Sequence, residues 1–513
     1  MRRERKAAAH ALRAGIVAAT LISACGSEDP AGSSGDAGVD ADGGRVDGAA
    51  VDGATRDAGG GDDAGAPDAG PAPDASTPDG GVGDGGAGDG GTVVTPSACA
   101  LPAPFDEGLT YARTLHVATT GSASGDGSAA RPFDTIARAL AAATPGTRIL
   151  VAAGRYGRLD VGSRSGAPGR PIAIVADGEV TIDGSGGTGI SVSDASWLVL
   201  EGLTIAGSSV HGMNIDDGGS FDTPAHHIVL RNLRIPSAGS GGNNDCIKMS
   251  GVDDFWVLGS DVARCDRGEA IDMVGCHRGV IHGNVFHDVV GSGVQAKGGS
   301  ADVLIHGNVF ADIPSRAVNA GGSTGLEFFR PVDAPYEAAR IRVLSNVFAR
   351  TGAMSGAAIA YVGCDGCVAA HNTIVAPRTW VARILQESTQ PRFVPCRDGV
   401  FANNVVVLDA ADIRTVVNVG AGTAPETFTF RNNLFFAVDQ GAGWRPPYAG
   451  VPAETGGIYQ RDPLMVDRAG GDYRLRAGSP AQGAAAALGM PLPPDLDGRC
   501  YADAATLGAF EIP

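Results

Sequence analysis

Apolar and polar residues alternate in five short segments of the chain that superimpose position by position. They are residues 211–216, 245–250, 269–274, 292–297 and 316–321, and the last four begin 23 or 24 residues apart. In each, the third and fifth residues are apolar, as in Ile247 and Met249 or Ile271 and Met273, and the fourth is polar. That is strand alternation repeated at the length of one solenoid coil. It predicts an all-β fold, a single-stranded parallel β-helix in which equivalent residues of successive coils lie about 4.8 Å apart.

A second series runs beside the first. Asn232, Asp261, Asn284, Asn308, Asn346, Asn372, Asn404 and Asn433 each precede an apolar strand. Asparagine tolerates the left-handed backbone, and its amide can bond to its counterpart in the next coil, so these residues are expected to be structural. His282 and His306 fall one coil apart and are expected to stack on the wall rather than hold a metal. Ahead of the repeats, Pro132 opens an amphipathic segment with Phe133, Ile136, Ala137 and Leu140 on one face, ended by Pro145-Gly146. This predicts a helix capping the open first coil. The β-helix is expected over 99–461, with 462–513 closing its other end. Stretches 217–225, 236–242, 322–340 and 377–397 read as loops that leave the solenoid and wall a groove.

The first residues do not belong to this pattern. Arg2, Arg3, Arg5 and Lys6 precede a short apolar run that ends in Ile22-Ser23-Ala24-Cys25. The run is too short for a membrane-spanning helix of ~20 residues and has the form of an export signal over 1–25. The end of the run resembles the lipobox of bacterial lipoproteins. That resemblance implies lipidation of Cys25 and an exported protein held at the outer membrane or cell surface by the lipid alone. Residues 26–98 are Asp, Gly, Ala and Pro with few bulky apolar groups, which predicts a disordered tether spanning on the order of 45 Å. Much of the net charge of −18 lies in this tether. No basic patch with interleaved aromatics appears, so nucleic acid is not an expected partner. A monomer is expected. Beyond Cys25 the chain has eight cysteines, an even number that predicts disulfides in an exported protein. Cys364 and Cys367 are expected to form a disulfide or tight turn rather than a zinc site.

With the third and fifth residues of each rung pointing inward, three polar columns face out. They are Asn214, Lys248, Asp272, Gln295, Asn319; Asp216, Ser250, Val274, Lys297, Gly321; and, at the turn, His211, Asp245, Glu269, Ser292, Arg316. Asp245, Glu269 and Asp272 therefore converge within two coils, beside Lys248 and near Lys297. Three carboxylates so close repel unless a positive charge lies among them. Ca²⁺, with oxygen ligands at roughly 2.3–2.6 Å, supplies it, and Lys248 supplies part of it. Opposite charges on adjacent rungs also stabilise a wall slightly without any ligand.

Residues 116–118, 125–128, 131–133 and 166–172 resemble the start of β-helical polysaccharide lyases, and the tail from Asp462-Pro463 to Phe510-Glu511 resembles the C-terminal segment of secreted bacterial right-handed β-helix proteins. In polysaccharide lyase family nine, an Asn-x-Asp-like turn and a following acidic pair with a further Asp hold Ca²⁺. Asn243-Asn244-Asp245 and Glu269-Ala270-Ile271-Asp272 stand in those places, with Gly268 where the pair has its other acid. The resemblance implies an acidic polysaccharide as partner, cleaved by β-elimination. Asp245, Glu269 and Asp272 would be the Ca²⁺ ligands, Lys297 the base with Lys248 as second choice, and Arg316 a grip on another uronate. Asn244-Asp245-Cys246-Ile247 also resembles the acidic motif of β-helical polygalacturonases, with Gly268-Glu269-Ala270 in place of their His motif. A non-catalytic glycan binder or adhesin on a tether is the alternative of a different class.

Overall fold

The computed structural model describes residues 99–512 apart from Phe221, Gly241 and Gly242. The export signal, Cys25 and the tether lie outside the described residues. From Cys99 onward the chain winds into the parallel β-helix that the alternation predicts. One face is a ten-stranded, wholly parallel sheet. Its central rungs are Met213–Asp216, Ile247–Ser250, Ile271–Val274, Val294–Lys297 and Val318–Gly321, paired in that order. Two further rungs precede them, Leu159–Gly162 and Ile190–Ser193, and three follow, Ala357–Val362, Trp380–Leu385 and Val417–Val419. The stretch expected as a loop over 377–397 thus contains a rung, masked by an aromatic start and an arginine in its outward position.

The inward residues of the central rungs are all but inaccessible: Met213, Ile215, Ile247, Met249, Ile271 and Met273 expose none of their surface. On another face Phe286, Phe310 and Phe348 stack coil on coil, with ring centroids 5.1 and 4.9 Å apart. Such columns fix register, because a slip of one residue would turn every apolar side chain outward.

The asparagine ladder is real but offset at its N-terminal end. The backbone N–H of Asn284 donates to Asn308 Oδ1, that of Asn308 to Asn346 Oδ1, and so on through Asn372, Asn404 and Asn433, each at 2.9–3.0 Å. Glu454 ends the series by accepting from Asn433. Ser260 and Leu233, not Asp261 and Asn232, continue it in the other direction. The left-handed conformation belongs to the residue before each ladder position: Gly283, Gly307, Ser345, His371, Asn403 and Asn432 have φ between 51° and 72°.

The expected capping helix is shorter than the segment that Pro132 opens: Ile136–Ala141, capped by Thr135, buries Ile136, Ala139 and Leu140 against the first coils, while Ala137 is exposed and Phe133 lies before the helix, bridged to Val117. At the other end, Trp444, Tyr448 and Tyr459 pack on the core. Residues 479–512 run back along the flank of the helix instead. Leu507, Ala509, Phe510 and Ile512 pack on Val285, Val309, Val347 and Val405 there. Six of the eight cysteines pair, as Cys99–Cys500, Cys246–Cys265 and Cys364–Cys367, and Cys276 and Cys396 stay free in the core. Cys99–Cys500 joins the flanking strap to the entry segment, where Phe105 and Tyr111 cover Ala173, Val199 and Val229.

Two buried histidines hold the strap. His306 stacks on His282, as expected for a wall pair, donates from Nε2 to Pro494 O (2.6 Å) and lies Nδ1 to Nδ1 at 3.0 Å from His282. His371 donates from Nδ1 to Thr506 O (3.1 Å), and its Nε2 accepts from Asn403 (3.0 Å). Burial pushes His306 down to about 3 and His371 down to about 4. A second proton on either ring would oppose a donor already aimed at it. Both pKa values lie below that of an unfolded histidine, so the stability these neutral rings contribute is fully present above about pH 6.5 and is lost as pH falls toward 4 and then 3. We expect the slope to approach about 1.4 kcal/mol per pH unit per histidine, with cleavage by an acid-active protease appearing first in 488–506. Urea denaturation from pH 7 to 4 checks this; a flat profile, unchanged in His306→Gln, contradicts it.

Candidate functional site

The register of the ten-stranded sheet brings the predicted site residues together. Lys248 pairs across to Asp272, Asp272 to Gln295, and Gln295 to Asn319, while Lys297 ends the rung after Asp272 one position further out. Carboxylate oxygens of Asp245, Glu269 and Asp272 lie within 4.8 Å of one another. The Lys248 ammonium bonds to Asp272 and stands 3.7 Å from Asp245, and Lys297 Nζ is 3.5 Å from Asp272. These groups are covered more than an outer wall implies: Asp245 and Asp272 expose nothing, and Lys248 and Lys297 show 19 % and 15 % of their side chains.

Insertions supply the cover. The segment beginning at Gly322 passes so close to Lys297 and Gln295 that a Cβ at Gly322 would meet Lys297 Cδ at 3.3 Å. Glu337, fully buried, anchors this segment by accepting from the Gly298 and Thr324 amides at 2.9 and 3.0 Å and from the Ser388 hydroxyl. Arg330 clamps it from behind through two bonds to Asp253, at 2.6 and 2.7 Å. Arg316 is drawn aside by Glu387 (2.7 Å) and by Asn319 (3.3 Å), so it stands at the edge of the cluster with its charge already paired. Glu337, Ser388, Arg330 and Glu387 carry no repeat spacing, and nothing in the sequence pattern marks them.

The charges are unequal. Burial, and then the nearby carboxylates, push Glu269 well above the usual carboxyl range, and the Glu269 backbone N–H donates to Asp245 Oδ1 at 2.9 Å. Burial and Asp272 raise Asp245 as well. Burial works to raise Asp272 too, but Lys248 and Lys297 outweigh it and hold Asp272 below its ordinary value. Burial works against the Lys248 charge, and Asp272 and Asp245 overcome it, so that ammonium holds its proton more tightly than a free lysine. His211 presents Nδ1 as acceptor to the Asp245 amide at 3.0 Å, and burial, its largest influence, lowers its pKa.

As a cation site the donor set fits a hard divalent ion. It is all oxygen, and Asp245 Oδ2 is buried with no hydrogen-bond partner. The set is also one ligand short of the lyase pattern, for a steric reason: a Cβ at Gly268 would lie 2.1 Å from Asn244 O. No side chain can stand there without moving the backbone. Lys248 occupies part of the space between the acids, so a metal and this ammonium compete for Asp272.

A family model described as "right handed beta helix region" matches residues 178–329, which contain the whole cluster. The fold is a right-handed parallel β-helix. A second family model, described as a protein of unknown function (DUF1565), matches 119–164 of the β-helix. No curated protein matches the chain. Among solved structures, pectate lyase Pel9A is 16 % identical with a TM-score of 0.50, covering 79 % of this chain and 98 % of its own. The GH136 lacto-N-biosidase from Eubacterium ramulus is 13 % identical with a TM-score of 0.41, covering 68 % and 67 %. PfbA, a surface adhesin of Streptococcus pneumoniae, is 12 % identical with a TM-score of 0.39, covering 62 % and 94 %. At such identities the likeness speaks to the β-helix itself.

Removing Lys248 should leave the buried acids uncompensated. For Lys248→Met we expect a loss of about 3–5 kcal/mol at pH 7. The loss shrinks as pH falls and the raised carboxyl groups of Asp245 and Glu269 take up protons, and shrinks again on adding millimolar Ca²⁺. Urea denaturation at pH 7 and at lower pH, with and without Ca²⁺, measures it; a pH-independent loss contradicts the charge balance.

Proposed function

We propose that this protein is an exported, surface-anchored enzyme that cleaves a uronate-containing polysaccharide by β-elimination. The observation that carries this is the convergence of three carboxyl groups and two ammonium groups on adjacent coils, under cover, on a β-helix wall. The sequence resemblance to polysaccharide lyase family nine supports it, as does the likeness of the fold to a pectate lyase.

The chemistry needs two things. The proton at C5 of a uronate is only weakly acidic, so the adjacent carboxylate must be neutralised, and a base must come within about 3 Å of that proton. Lys297 is the base. It ends its rung with Nζ 3.5 Å from Asp272, and its stem is pinned by the Gly322 segment. A lysine acts as a base only in its neutral form, so the acids that Lys297 faces would have to be neutralised by Ca²⁺, while the hold of Asp272 on Lys248 leaves Lys248 as a fixed positive charge for the substrate carboxylate. Asp245, Glu269 and Asp272 would hold Ca²⁺, which when bound adds positive charge at the same carboxylate. Gln295, donating to Asp272 at 3.1 Å and accepting from Asn319 at 2.7 Å, keeps the acid in place. Cys25, lipidated, would keep the enzyme at the cell surface at the end of its tether.

The test is a screen of the full chain against polygalacturonate, alginate and glycosaminoglycans, with and without Ca²⁺, read by ultraviolet absorbance of the unsaturated product. Absorbance should appear with one acidic polymer and fall by roughly 10²–10⁴-fold in Lys297→Ala. Unchanged absorbance in that variant removes Lys297 as base. Reducing ends without absorbance would make the protein a hydrolase, and binding without any product a glycan binder. Cys25→Ala should move the protein from the membrane to the soluble fraction, and its persistence in the membrane contradicts the lipid anchor.

A further inference from the structure

Three cysteines meet at one corner of the helix. Arg397 bonds on both sides of Asp365: its N–H donates to Cys364 O at 3.0 Å, and its carbonyl accepts from the Gly366 N–H at 3.1 Å. This parallel bridge sets Asp365 beside Arg397, and their side chains form an ion pair at 3.0 Å on the outside of the wall. The residues before them, Cys364 and Cys396, are therefore in register one coil apart and point the other way, into the core. Both are buried there, with 1 % and 0 % of their surface exposed. One strand spacing, ~4.8 Å, falls within the ~4.4–6.8 Å that separates the Cα atoms of a disulfide. Cys367, bonded to Cys364 across the corner, adjoins Gly399 of the next coil, so Cys396 meets that bond at its Cys364 end. Cys276, free as well, lies in register between Val252 and Ser300 and has no disulfide beside it.

Cys396 is also the foot of an insertion that helps to cover the Lys297 cluster. The chain leaves the rung Trp380–Leu385 at Gln386 and returns at Cys396, whose N–H donates to Gln386 Oε1 at 2.7 Å. Between these ends Glu387 holds Arg316, Ser388 bonds to Glu337, and the Val394 N–H donates to Pro335 O at 2.9 Å. All of these contacts are non-covalent. Burial pushes the Cys396 thiol up to about 12, so a closed foot keeps it protonated and unreactive.

We propose that Cys364 changes its disulfide partner, from Cys367 in its own coil to Cys396 in the next, and that the new bond latches the 386–396 insertion over the cluster. The exchange rests on the stacking of the coils; only its effect on a reaction rests on the lyase reading. Cys396 loses its proton when the foot opens to water, and its thiolate attacks Cys364 Sγ in line with the bond to Cys367. The Cys364–Cys396 bond forms as the Cys364–Cys367 bond breaks, and the departing Cys367 thiolate takes up a proton. One disulfide and one thiol stand on each side, so no oxidant or reductant is consumed. The new bond spans 32 residues of sequence where the old one spans 3, and the longer loop removes more entropy from the unfolded chain.

The test maps disulfides in the full chain, in Cys396→Ser and in Cys276→Ser, with circular dichroism to verify folding. Each is held at a series of pH values in urea below its unfolding transition, then quenched in acid. Free thiols are blocked with N-ethylmaleimide, and unreduced tryptic fragments are read by mass spectrometry. In the wild type the fragment holding Cys364 and Cys367 should become joined to the one holding Cys396, with the maleimide on Cys367. The rate should rise about tenfold per pH unit as the thiolate fraction grows. Cys276→Ser should exchange as the wild type does, and Cys396→Ser should keep the Cys364–Cys367 bond throughout. Native trypsin should cut the exchanged form at Arg392 roughly tenfold more slowly, because the foot no longer opens freely. Absence of the joined fragment at every pH, maleimide on Cys364 instead of Cys367, or unchanged cutting at Arg392 overturns the latch. Where the wild type cleaves an acidic polysaccharide, exchange should slow its action on long chains. Exchange with slower cutting at Arg392, but with no polysaccharide cleaved by either form, upholds the latch and overturns the lyase reading instead.

Discussion

Everything in this molecule depends on one repeat distance. A side chain on one coil must lie about 4.8 Å from its counterpart on the next, and the buried columns leave no freedom to slip. Stacked phenylalanines and inward methionine and isoleucine pairs set the register through packing, and the asparagine ladder sets it again through hydrogen bonds to otherwise unsatisfied buried amides. Once register is fixed, charge on one coil is imposed on its neighbours. Lys248 and Asp272 are adjacent because the core beneath them is.

That constraint explains what is legible in the chain alone. The hexad repeat locates Asp245, Lys248, Glu269, Asp272 and Lys297 on neighbouring rungs, and the pairing confirms each partner in the Lys248 column. It fails where the repeat is interrupted. Trp380–Leu385 is hidden inside an apparent loop, so the repeat does not mark Arg383. Glu337, Arg330 and Glu387 act from insertions, where no period says which coil a residue will reach. The flanking strap is also aperiodic, and its contacts with His306 and His371 depend on a chain path more than 130 residues distant in sequence. In the asparagine series the offset is a single residue: the pattern marks the polar residue before each strand, while the ladder chooses whichever residue comes after a left-handed one.

The cluster also shows how backbone shape limits chemistry. Gly268 is no ordinary substitution, because the coil passes too close to Asn244 for any side chain. With one acid excluded, the remaining three face two lysines: burial and mutual repulsion raise Asp245 and Glu269, while Lys248 and Lys297 hold Asp272 low.

The Cys99–Cys500 bond spans 401 residues of sequence, and that span has consequences for force and for timing. Tension entering the fold at Cys99 passes directly into the flanking strap through a covalent bond. It is spread along the side of the helix rather than concentrated on the first coil, and the coils are not peeled away one by one. During synthesis the coils can stack in order as they emerge, N-terminal first. The clasp cannot close until nearly the whole chain has appeared, so its oxidation marks the completion of assembly.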